Sequence, residues 1–404
     1  MAEIPSGSLA DGPSVRVPRL LLAGLTAAGP LALSIYIPAL PAVGADLGAD
    51  AGLVQITVSA YFLTLAFGQL VIGPLSDRFG RRPVALWALA GFTAASFLAA
   101  MADSISQLIL LRVIQAFAGA SGMVLSRSII KDTFPAHEIS GQIARVVSIS
   151  VIVPMVAPVI GGTLAELFSW RATLIAVGVV AAAILAGVYF TLDETLAERD
   201  TQLRPARVAR NYWNFLRDRR FLLMSLNATL FGTGNFVFVT GMPFVLAHEY
   251  GIGAATFGLW ATILSTSYMV GNRISAGLGH RLSHWDKLGL GTIMSSIAVV
   301  AMIVTQSLTE LPPWGPFVFM AFVGLGHGIG MSNAIALALR KVTANAGTAV
   351  ALIGALQMGG SSVGSTLVSI LGNGTHAPVY FVLALVQGGA LAVFLAERPR
   401  IRPA

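Results

Sequence analysis

Apolar runs of about 20 residues, broken by short polar joints, repeat from Leu20 almost to the end of the chain. At 1.5 Å of rise per residue, about 20 residues cross the ~30 Å hydrocarbon layer of a bilayer, so each run is predicted to be a transmembrane helix. Twelve spans are placed: 20–40, 54–73, 84–102, 107–127, 145–165, 172–190, 221–243, 254–274, 288–307, 314–335, 346–369 and 377–396. The joint after the second run, Gly73-Pro-Leu-Ser-Asp-Arg-Phe-Gly-Arg-Arg-Pro83, is the densest patch of charge in the first hundred residues. Such a glycine-rich turn cannot lie in lipid. It is expected to form a tight hairpin at one membrane face, with Gly73 and Gly80 making the turn.

The basic residues then set orientation. Of the 25 lysines and arginines, all but Arg112 and Arg171 fall in alternate joints or at the termini, on one side of the twelve spans. The positive-inside rule therefore makes both termini and the long central joint cytoplasmic. That joint divides the spans six and six. The expected organisation is an N-terminal six-helix bundle over 17–195, a cytoplasmic linker with an interfacial helix over 196–220, and a C-terminal six-helix bundle over 221–396. Two similar halves suggest bundles that rock about a central site.

Composition sharpens this picture. The chain is 404 residues long, 55% hydrophobic and 11% charged, with a mean hydropathy of +0.79. Soluble domains carry about 25% charged residues, so the fold class is an all-α polytopic membrane protein. The net charge of +7 follows from topology, and no nucleic-acid partner is expected. Without cysteine there is no disulfide or thiolate chemistry, and neither a cofactor nor a metal site is expected. The sequence shows no HExxH and no nucleotide-binding Gly-Lys-Ser/Thr loop, which argues against an enzyme.

The joint's pattern Gly73-x-Leu75-x-Asp77-Arg78-x-Gly80-Arg81-Arg82, lying between two spans, resembles the loop 2–3 signature of the major facilitator superfamily. The resemblance implies a fold of twelve helices in two bundles and a conformational latch at Gly73, Asp77, Arg78, Gly80 and Arg81. The counterpart after span eight, Gly271 to Arg281, is degenerate, with His280 where the acid would fall and Ser283 where the second glycine would. Leu111-Arg112-x-x-Gln115-Ala116 resembles the family's fourth-span motif, which implies a part for Arg112 in proton coupling; a purely structural arginine is the alternative. In span five, Pro154, Ala157, Pro158 and Gly161 resemble the antiporter signature; generic helix packing is again the alternative.

The span 1 stretch from Pro30 to Pro41, together with Ser169-Trp170-Arg171, Asp193-Glu194-Thr195-Leu196 and Met242-Pro243-Phe244-Val245-Leu246, is similar to the bicyclomycin/chloramphenicol-resistance branch of drug:proton antiporters. Where that branch commonly has an aspartate, this chain has Ser34. Glu166 and Asp46 lie near span ends, which leaves His327 as a candidate proton carrier alongside Arg112; a histidine titrates near pH ~6.5 when unperturbed. Tyr36, Tyr61, Gln115, Asn227, Asn235 and Asn333 are candidates to line a substrate cavity. The expected function is proton-coupled efflux of small, moderately hydrophobic compounds across a bacterial inner membrane, by a chain acting as a monomer in the lipid bilayer. A proton-independent uniporter or metabolite exporter on the same scaffold is the alternative.

Overall fold

The computed structural model describes residues 18–150, 152–197, 205–279, 281–342, 346–372 and 374–397. Everything regular within them is helical. Helix α1 (Arg19–Ser34) leads through a 3-10 turn at Ile37–Ala39 into α2 (Leu40–Leu47). There follow α3 (Ala51–Phe79), α4 (Arg81–Ala100), α5 (Ile105–Thr133), α6 (Ala136–Ser150), α7 (Ile152–Leu167) and α8 (Trp170–Thr191). After α9 (Pro205–Arg217) come α10 (Arg219–Tyr250), α11 (Ala254–Gly277), α12 (His284–Leu308), α13 (Gly315–Leu339), α14 (Ala346–Leu371) and α15 (His376–Glu397).

Eleven stretches among the described residues are long and apolar enough to cross a membrane. The α1–α2 pair forms one of them, and α6 with α7 another. Helix α11, in the place of the expected eighth span, is 24 residues long but is not among the eleven. Thr262, Ser265, Thr266, Ser267, Asn272 and Arg273 make it more polar than its neighbours. Trp87 and Phe190 are each 80% exposed and Leu308 is 78% exposed, as side chains facing hydrocarbon should be.

Two expectations about joints change. The hairpin expected over 73–83 is much shorter: α3 continues to Phe79, α4 begins at Arg81, and Gly80 alone joins them at φ 101°. Gly73 therefore lies inside α3, not in the turn. The polar end of α3 sits at the membrane edge, where its charges find water and partners, so nothing stops the helix at Gly73. Second, the first span is broken. Pro38 has no N–H to offer the Ser34 carbonyl, and the chain bends through the 3-10 turn before α2. His280 of the degenerate counterpart loop lies outside the described residues, while Ser283 caps α12 in a reciprocal capping box with Asp286.

Helices α5, α6, α7 and α8 all pack on α1, and α13, α14 and α15 on α10. These groups meet along two antiparallel seams, α3 against α14 and α7 against α11. In the first seam, Ser369 Oγ donates to the Gly52 carbonyl and Ser362 Oγ to the Ser59 carbonyl, each at 2.8 Å. The second seam is tightest at the end away from the basic joints. A β-carbon at Gly162 would lie 2.2 Å from the Ala254 carbonyl oxygen, and one at Gly258 would lie 2.2 Å from that of Pro158. Only glycine permits these backbones to approach so closely.

Gly258→Val should therefore wedge the α7–α11 seam. Overpacking of this kind costs about 1–3 kcal/mol, so the detergent-solubilised variant should unfold several degrees below the parent. An unchanged melting temperature would show that the seam is looser than its geometry implies.

Candidate functional site

Between the two seams lies a cavity of about 250 Å³, with walls from α1, α3, α7, α10, α11, α13 and α14. Its lining is mostly apolar: Phe62, Leu65, Phe231, Phe236, Phe257 and Met358 face it, together with Pro154 and Pro158. Polar groups enter from Ser34, Asn235, Ser265, Tyr268 and His327. No Asp, Glu, Lys or Arg lines it. An apolar chamber with a few convergent hydrogen-bonding groups suits a small neutral ligand.

Arg112 does not line this chamber. It is fully buried on α5, behind Tyr36 and Tyr61. Its guanidinium carbon lies 4.6 Å from the Tyr36 ring centroid and 4.1 Å from that of Tyr61. Nη1 donates to the Gln115 side-chain oxygen at 2.6 Å and to the Ala32 carbonyl at 3.2 Å. Gln115 passes the chain on to Ser96 at 2.7 Å. Tyr61 OH donates to the Gly29 carbonyl at 3.0 Å, and Tyr36 OH pairs with Thr57 at 3.1 Å. Nε and Nη2 of Arg112 have no hydrogen-bond partner, and no carboxylate pairs with the group, among the described residues.

Inserting an arginine at mid-helix costs roughly 2.5–3.5 kcal/mol. A desolvated cation–π contact returns about 2 kcal/mol, so two rings and two charge-assisted hydrogen bonds offset part of this cost without an acid.

The other expected cavity residues are dispersed. Asn235 faces the chamber. Tyr36, Tyr61 and Gln115 instead enclose Arg112. Asn227 donates to the Ala390 carbonyl at 2.9 Å, and Asn333 joins Ser275 at 2.8 Å with His284 at 2.7 Å. His327 edges the chamber with its ring 4.8 Å from Phe231 and its Nε2 3.4 Å from the Gln387 side-chain oxygen. Neither reserve acid reaches the chamber. Asp46 pairs with Arg171 and accepts from Trp170 Nε1 at 3.0 Å, while Glu166 accepts from the Ala255 N–H at 2.9 Å across the seam.

The antiporter-like residues sit where α7 meets α1 and α11. A β-carbon at Gly161 would come within 1.9 Å of the Ile35 carbonyl oxygen, and Ala157 is buried. Ser265 on α11 donates to the Pro154 carbonyl at 3.0 Å. That carbonyl is free because Pro158, four residues on, has no N–H.

At the basic end, Arg81 is buried and organises four segments. Its Nε donates to Asp132 at 2.8 Å, its Nη1 to Ser76 at 2.6 Å and to Asp77 at 2.5 Å, and its backbone N–H to Glu194 at 2.8 Å. A β-carbon at Gly80 would lie 2.3 Å from Glu194 Oε2, so Gly80 is required both by its backbone and by this neighbour. Arg82 donates to the Tyr189 carbonyl at 3.0 Å, and Arg78 stacks over Phe79. Asp132 and Glu194 are the partners that sequence reasoning missed. Nothing local ties Asp132 to Arg81, 51 residues away, although Glu194 stood in the quoted Asp193–Leu196 motif.

Residues 22–398 match the sequence family described as the Major Facilitator Superfamily. The chain belongs to that superfamily. It is 30% identical over 388 residues to the "Uncharacterized MFS-type transporter YdgK" of Bacillus subtilis, covering 94% of this chain and 95% of that one. It is 28% identical over 382 residues to the "Bicyclomycin resistance protein homolog" of Haemophilus influenzae, covering 94% and 96%. Among solved structures, the peptide transporter POT in complex with sulfate superposes with a TM-score of 0.77 at 13% identity, over 95% of this chain and 94% of that one. The fold is thus that of a major facilitator transporter. The protein moves small molecules across a bacterial inner membrane and is not an enzyme.

In this transporter the two acids flanking Arg81 are unequal. The Asp132 side chain is 15% exposed and that of Asp77 is 50% exposed. Asp132→Ala should strip a buried cation of its main partner and cost about 3–5 kcal/mol. Asp77→Asn should cost under about 1 kcal/mol, because its pair is screened by water. Paired thermal unfolding of the two purified variants would check this ordering; equal losses would contradict it.

Proposed function

We propose that this chain exports small, uncharged, moderately hydrophobic compounds from the cytoplasm in exchange for protons, by alternating access. The observation that carries the reading is the central chamber. It is apolar, edged by a few neutral hydrogen-bonding groups and bordered by both seams. The likeness to a bicyclomycin resistance protein homolog supports an export role.

In this account residues 17–195 and 221–396 are the two rocking bodies, α11 is the eighth span and completes the set of twelve, and 196–220 links the bodies on the cytoplasmic side. The distribution of basic residues along the sequence supports a cytoplasmic side for both termini as well. Gly80, Asp77, Arg78 and Arg81, with Gly73 nearly two turns inside α3, form the latch at the cytoplasmic end. A vestibule of about 800 Å³ between α3, α5, α6, α9 and α14 exposes Asp77 to that side. Pro154, Ala157, Pro158 and Gly161 shape the opposite gate.

His327 is the proton-carrying group in this reading, because it is the imidazole at the chamber wall and no carboxylate stands there. Arg112 holds the adjoining wall of α1 and α3 through Tyr36 and Tyr61 and contributes a fixed positive field. The absence of a lining carboxylate also favours the second reading, a proton-independent uniporter or metabolite exporter.

One assay separates them. With the full-length protein in inverted vesicles, His327→Ala should reduce pH-gradient-driven accumulation at least tenfold and alter substrate binding much less. Ser34→Asp in the same background should recover part of the loss, because Ser34 and His327 face one chamber. Full gradient-driven accumulation by His327→Ala would eliminate the histidine. Accumulation by the parent without any gradient dependence would favour the uniporter.

A further inference from the structure

We infer that the junction of α9, α10 and α13 is a binding site for the phosphate headgroup of an anionic phospholipid. A second cavity, of about 220 Å³, lies there and is separate from the transport chamber. Arg220, Lys341 and Asp218 supply its charged walls, and Phe215, Phe221 and Leu337 part of its apolar wall.

The charges do not cancel. Asp218 is occupied as the N-cap of α10, its Oδ1 accepting from the Phe221 N–H at 2.9 Å. Nε and Nη2 of Arg220 are buried and have no hydrogen-bond partner among the described residues. Guanidinium donors left without partners are costly, and the planar donors of the half-buried Arg220 match the oxygens of a phosphate. Lys341 adds a second positive charge to the lining, from the segment just beyond α13.

The surroundings favour lipid over a soluble phosphate. The cavity opens at the end of the spans that carries the basic joints, where an anionic leaflet would lie. Its apolar wall suits the glycerol and first acyl carbons of a lipid. Beside it, α9 presents an exposed Trp213 with the Arg217 guanidinium 5.1 Å above the ring, a pairing suited to the headgroup layer. A lipid held here would bridge α9 to α10 and α13. It would thereby tie the segment joining the two halves to the C-terminal spans.

The test uses the purified full-length chain in a neutral detergent, with thermal unfolding and native mass spectrometry as readouts. Short-chain phosphatidylglycerol should raise the unfolding temperature and remain bound as a discrete adduct, whereas phosphatidylcholine should do neither. Arg220→Gln and Lys341→Gln should each weaken phosphatidylglycerol binding at least tenfold, and Arg217→Gln, outside the cavity, much less. If Arg220→Gln does not fold, Lys341→Gln still decides the matter. Undiminished phosphatidylglycerol binding by the cavity variants would overturn the site. Equal stabilisation by inorganic phosphate alone, lost in those variants, would overturn the lipid as its source.

Discussion

Every backbone polar group within the hydrocarbon must find its partner inside the protein, and in this chain prolines turn that constraint into contacts between helices. Pro158 deprives the Pro154 carbonyl of its intrahelical donor, and the Ser265 hydroxyl of α11 fills the vacancy at 3.0 Å. Pro74 does the same to the Leu70 carbonyl of α3, and Tyr212 of α9 donates to it at 3.3 Å. Burial pushes the Tyr212 phenol above its ordinary pKa, so it remains a donor at neutral pH. One of these bonds closes a seam, and the other docks the linker helix on the first half. Both are single bonds to a carbonyl, strong enough to fix register and weak enough to exchange.

The same economy explains how the centre holds an arginine without an acid. Arg112 is stabilised by two tyrosine rings, the Gln115–Ser96 chain and the Ala32 carbonyl. Because these partners are neutral, no carboxylate cancels the positive charge among the described residues. Arg81 follows the opposite rule. Its guanidinium has two anionic partners, Asp77 and Asp132, its backbone N–H donates to Glu194, and at the membrane edge it locks α3, α4, α5 and the segment after α8 together.

Much of the fold was legible because membrane helices obey length and hydropathy. The runs at 84–102 and 172–190 fall within three residues of α4 and α8 at each end. Joints were less legible. Gly73 read as a turn because charge followed it, yet a helix end at a membrane edge can carry Asp77 and Arg78 without breaking. The candidate cavity separated in the same way. Polarity within a span identified residues that need partners, and Tyr36, Gln115, Asn227 and Asn333 found theirs in neighbouring helices. Only the assembled helices distinguish those from Asn235 and His327, which face open space. The Asp132 partner of Arg81 left no local trace, since the pairing depends on how α5 crosses α4.

Alternating access by two rocking bodies requires the α3–α14 seam to part at the end opposite the basic joints. The native chain has no cysteine, so one engineered pair can be read without interference. A β-carbon at Gly52 would lie 3.5 Å from Ser369 Oγ, so cysteines at these two positions are close enough to cross-link across the seam. Transport by the Gly52→Cys/Ser369→Cys protein should be abolished on oxidation and restored by reductant. Undiminished transport by the fully oxidised protein would contradict the account.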